Sequence, residues 1–100
     1  MMDPRVIEAA QAIVAGRLML SKALAENWST SQRCLLALVA GEPGAAEEPY
    51  NSPKAAWARL NGEQQAFVRN LLGTAMLRKM GVDLGLAEEE APEGPGGSRP

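Results

Sequence analysis

Helix-start signals recur along this chain and constrain its fold more than any other feature. Asp3-Pro4 is an N-cap followed by proline at the first helical position, where the missing N–H costs nothing. Ser29 with Gln32 and Asn61 with Gln64 both have the capping-box form, a pair in which each side chain bonds the other residue's backbone N–H. Ser52-Pro53 repeats the cap-plus-proline grammar. No strand pattern and no internal repeat accompany them.

Hydrophobic periodicity fills in the helices behind these caps. Val6, Ile7, Ala10, Ile13, Val14, Leu18, Met19 and Leu24 follow helical spacing and predict a first long helix to about Glu26, with Gly16 as its one soft point. A shorter helix is predicted from about Thr30 to Ala40, with Cys34, Leu35, Leu38 and Val39 inward and Gly41 as its left-handed cap. The Pro- and Gly-rich stretch from Glu42 to Asn51 reads as a loop, long enough to suggest function. A second short helix runs from Pro53 to Leu60, and a last long one from Gly62 to Met80, burying Phe67, Val68, Leu71, Leu72, Ala75 and Met76. Arg78 and Lys79 suit its C-terminal dipole, and Gly81 ends it. From Ala87 the sequence turns to Glu, Pro, Gly and Ser, which cannot build a core. The expected fold is all-α: a small bundle of two long and two short helices over residues 1–86, with a disordered acidic C-terminal tail over 87–100. The two long helices are the expected principal pair, with the 30–40 helix packed across them.

Composition removes several chemistries. There is no His, the commonest general base and metal ligand. A single Cys34 excludes an internal disulfide and any paired-cysteine zinc or redox site. Neither the P-loop nor the dinucleotide-binding glycine pattern occurs. No apolar run approaches the roughly 18 residues that span a bilayer. No basic stretch followed by an apolar one opens the chain, so no secretory signal is expected. The reading is therefore a non-enzymatic protein of the cytoplasm, with no cofactor, no metal and no membrane partner. Of the 46% apolar residues, 17 are Ala and only four residues are aromatic, so burial per residue is modest.

The net charge of −2 hides an uneven layout. Residues 42–53 sum to −3 through Glu42, Glu47 and Glu48, whereas residues 54–79 sum to +4. A solvated surface is the ordinary meaning of such runs. The sharper meaning is a docking loop for a basic partner, since complementary charge raises association rates and selects partners. Tyr50 stands in that loop and Trp57 just beyond it, and both residue types favour interface hot spots. Trp57 is equally suited to plugging a small core, and Phe67 belongs to the core. Trp28 should close the first helix and staple the next. Met19, Met76 and Met80 sit at helical positions and are expected in the core, although they could instead line a groove for a partner helix or a second copy. Ser29, Ser31 and Ser52 read as caps rather than nucleophiles, because no base accompanies them.

The alternative class is nucleic-acid recognition. Ala58, Gly62, Val68 and Leu71 fit helix-turn-helix spacing, and Gln64, Gln65 and Arg69 would then be the base-reading side chains. Against this, Asn61 occupies a usually apolar turn position, Glu63 would face phosphate, and the pI near 5.1 makes nucleic acid a poor main ligand. A third class is a homodimeric subunit of a larger assembly.

In its length, Ala-rich and His-free composition and capped-helix style, residues 1–86 resemble the small all-helical anti-CRISPR proteins of Pseudomonas phages and mobile elements that act on type I-F surveillance complexes. That resemblance implies an inhibitor that binds Cas subunits stoichiometrically, with acidic groups occupying a Lys/Arg surface meant for target DNA. Glu42, Glu47 and Glu48 are the candidates for this contact, with Tyr50 and Trp57 beside them. The basic 54–79 segment departs from an all-acidic DNA mimic.

Overall fold

A computed structural model describes residues 2–82, and every regular element among them is helical. The expected all-α class holds, with six α-helices among the described residues. These are α1 (Pro4–Val14), α2 (Leu20–Ala23), α3 (Thr30–Val39), α4 (Pro53–Arg59), α5 (Gly62–Leu72) and α6 (Thr74–Met80). The tail over residues 87–100, and the end of the domain assigned to 1–86, lie outside the described residues.

The caps form as their sequences dictate. Asp3 Oδ1 accepts from Arg5 N at 2.9 Å, and the Arg5 guanidinium adds a 3.2 Å ion pair. That backbone bond, followed by the guanidinium contact, holds the Asp3 carboxyl below its ordinary value of 3.8. Ser29 Oγ accepts from Gln32 N at 3.2 Å while Ser29 N donates to Gln32 Oε1 at 2.9 Å. Asn61 and Gln64 make the same reciprocal pair at 2.8 and 3.0 Å. Ser52 Oγ accepts from Ala55 N at 3.2 Å and starts α4.

Both expected long helices are divided at glycine. At Gly16 (φ 78°) the chain ends α1: Gly16 N donates to Ile13 O at 3.0 Å and Arg17 N to Ala12 O at 2.8 Å. This paired closure is a Schellman motif, which needs a left-handed residue at its centre. The same closure ends α3 at Gly41 and α6 at Gly81. Gly73 divides the last helix differently, with φ 90° and ψ 152°. Its N–H completes α5 through Arg69 O, and its carbonyl receives Leu77 N to begin α6.

The breaks change which side chains face inward. Leu20 and Ala23 are buried by α2, whereas Met19 is 67% exposed in the segment before it. Beyond Gly73, Leu77 is fully buried, Ala75 is exposed and Met76 is 48% exposed. The expectation of a core role for Met19 and Met76 is thus corrected, because it assumed unbroken helical phase. The packing differs as well. The central element is α3, which packs against α1, α2, α4 and α5, so α1 has α3 rather than α5 as its main partner. Every residue from Cys34 to Val39 is buried, as a helix apolar on all sides requires.

Cys34 is fully enclosed in this helix, and burial pushes its thiol pKa up. Ellman's reagent is expected to leave it unmodified in the native protein at neutral pH and to titrate it fully in denaturant. Rapid native reaction would show that α3 opens to solvent.

Candidate functional site

The residues from Ala40 to Asn51 leave the centre of the domain and return to it. Gly41 closes α3, with Glu42 N donating to Ala37 O at 2.9 Å, and a single 3-10 turn follows over Pro43–Ala45. That turn packs on both α3 and α4. Ala46 is only 6% exposed and anchors the loop in the core. A 2.8 Å bond from Tyr50 N to Glu47 O then closes a second turn, across the cis Glu48–Pro49 peptide. Tyr50 is half-buried against the core, with the Arg59 guanidinium 5.8 Å from its ring centroid.

This fixes the surroundings of each expected contact residue. Glu42, Glu47 and Glu48 are exposed, and none makes an ion pair or hydrogen bond through its carboxylate among the described residues. Although the loop carries Pro and Gly, its acidic turn is pinned at Ala46 and Tyr50 rather than hanging free. Trp57 lies elsewhere: at 7% exposed it belongs to the core and offers a partner little surface. Trp28 donates Nε1–H to Ala23 O at 2.6 Å and receives Arg5 at 5.0 Å over its ring, which staples the start of α1 to the end of α2.

The helix-turn-helix residues are engaged within the domain. Gln64 is buried, its Oε1 serving the cap of α5 and its Nε2 donating to Ser31 Oγ on α3 at 3.3 Å. Gln65 Nε2 donates to Trp57 O at 3.0 Å and ties α5 to α4. Arg69 is half-buried. Each glutamine thus has one amide N–H engaged inside the domain, and Gln64 is buried as well.

The alternative placing of Met19, Met76 and Met80 along a groove meets two surface grooves. Ile13, Leu18, Met19 and Leu24 from the α1–α2 region face Ala40 and Glu42 across a groove of about 520 Å³. A second groove of about 170 Å³ lies on the other side of Ala40, between Leu38, Gly41, Leu72, Met76 and Met80. Among the described residues no three His, Cys, Asp or Glu side chains converge to hold a metal ion, and no helix is long and apolar enough to cross a membrane. Comparison with known proteins adds no relationship: no family model, no curated protein and no solved structure matches the chain.

Proposed function

We propose that this chain is a non-enzymatic protein-binding module that meets a basic partner through the turn bearing Glu42, Glu47 and Glu48. One observation carries the reading: three exposed carboxylates, without an ionic partner among the described residues, sit on a loop pinned to the core. Charges displayed in a fixed arrangement steer a complementary surface and set its register, at little ordering cost. Tyr50 contributes at the edge of the contact, whereas Trp57, buried in the core, offers it little surface. The narrower form of the proposal follows the resemblance to small helical anti-CRISPR proteins. There the partner is a Cas subunit, and the carboxylates occupy the Lys/Arg surface that receives target DNA. DNA reading by α5 is the less favoured alternative, because Gln64 is buried and Gln65 ties α5 to α4 through its amide.

The test is a pull-down of the tagged chain from a Pseudomonas lysate containing a type I-F surveillance complex, washed at low and high salt. Stoichiometric Cas subunits should be retained without target DNA, and the Glu47→Lys/Glu48→Lys variant should lose them. With the purified partner, the charge reversal should slow association by about tenfold or more at low salt. Recovery of salt-labile DNA without protein would overturn the module reading in favour of the nucleic-acid one. Unchanged capture by the double variant would remove the acidic turn from the contact.

A further inference from the structure

The two grooves share Ala40, and the chemistry of this surface limits what can cover it. Ala40 lines both the larger groove, with Ile13, Leu18, Met19 and Leu24, and the smaller one, with Leu72, Met76 and Met80. Met19 at 67% exposed and Met76 at 48% exposed stand at the two grooves. Methionine is unbranched and polarizable, and surfaces lined by it adapt to apolar side chains of differing shape. The smaller groove is lined by no charged residue and the larger by one, Glu42. An occupant that covered Glu42 with apolar groups alone would bury an unpaired carboxylate, at a cost of several kcal/mol. The occupant therefore brings a cation to Glu42.

We infer that this surface seats an amphipathic helix with a basic edge, contributed by the partner protein. The inference rests on the protein-binding reading above and adds the form of the contact. The grooves run between helices, and the described residues offer no sheet edge on which an extended peptide could add a strand. Two grooves that share a lining residue suit neighbouring anchors, as successive apolar residues on one helix face supply. One anchor enters beside Met19 and the other beside Met76. A Lys or Arg on the same helix pairs with Glu42.

The test is selection from random peptides of about 16 residues, roughly four helical turns, displayed on phage. The immobilised full chain is the target, and the Met19→Asp variant is used for depletion. Because Met19 is exposed, Met19→Asp leaves the core intact. Enriched peptides should carry apolar residues at i, i+3 or i+4, and i+7, with an excess of Lys and Arg. A synthetic copy should gain helical circular dichroism on binding. Its affinity should fall about tenfold or more with Met19→Asp or Met76→Asp, and several-fold with Glu42→Lys. The inference is overturned by no enrichment, by peptides without helical periodicity or with net negative charge, or by equal binding to Met19→Asp. It is also overturned if sedimentation shows a dimer that Met19→Asp dissociates, since a second copy would then cover the grooves. The two proposals fail separately. If Met19→Asp still captures the partner that Glu47→Lys/Glu48→Lys loses, the groove is excluded and the binding module stands.

Discussion

Leu36→Ala is expected to lower the free energy of unfolding by about 2–5 kcal/mol, among the largest single-residue effects in this domain. Leu36 has no exposed surface and lies midway along α3, the helix against which α1, α2, α4 and α5 all pack. Truncation removes transfer free energy and leaves a cavity in an element walled on every side, where relaxation is least able to fill it. A domain of this size has about 5–15 kcal/mol to lose, and an Ala-rich core places it toward the low end. Urea unfolding monitored by circular dichroism gives the value directly. Leu36→Met, which keeps the volume, should cost less than about 1.5 kcal/mol. Met19→Ala should stay within about 0.5 kcal/mol, because that side chain is mostly in water. A loss below about 1 kcal/mol for Leu36→Ala would mean that α3 is not enclosed as described.

What could be read from the sequence was local. Ser29 with Gln32 and Asn61 with Gln64 specify their caps through bonds that span three residues, so no tertiary information is needed. Gly41 and Gly81 were equally legible, since each follows a completed periodic run. Gly16 closes the same hydrogen-bonded motif, but apolar residues continue past it at helical spacing and conceal the stop. Past each break the inward positions shift, which is why Leu77 rather than Met76 reaches the core. The exposure of Glu42, Glu47 and Glu48 followed from composition, whereas the burial of Trp57 depended on where α4 lands against α3. Of the grooves, the sequence offered only the methionines Met19, Met76 and Met80 as possible lining, not the walls opposite them. The groove walls come from residues 13–24, 38–45 and 72–80, which are brought together only by packing.

The same substitution at two glycines of α5 should have opposite effects, which isolates backbone conformation from packing. Gly73→Ala is expected to destabilise the domain by about 1–3 kcal/mol, a fall in melting temperature of roughly 5–20 °C. A φ of 90° with ψ of 152° is a conformation that only glycine adopts readily. A Cβ at Gly73 would meet nothing within 4 Å, so this cost is strain in the chain itself and not a clash. The alanine variant can escape the strain by continuing α5 straight into α6, and alanine's helix propensity favours that by about 1 kcal/mol. Continuation would carry Leu77, fully buried, and Val82, 4% exposed, away from the positions they now fill. Either route loses stability. Gly62, at the first position of α5, has an ordinary helical backbone and equally open space. Gly62→Ala should therefore stabilise by about 0.4–1 kcal/mol, through the smaller entropy of the unfolded chain. Thermal melts of both variants beside the wild type decide the matter. If Gly73→Ala melts at or above the wild-type temperature, the division between α5 and α6 is not enforced by Gly73, and the re-phasing that exposes Met76 loses its cause.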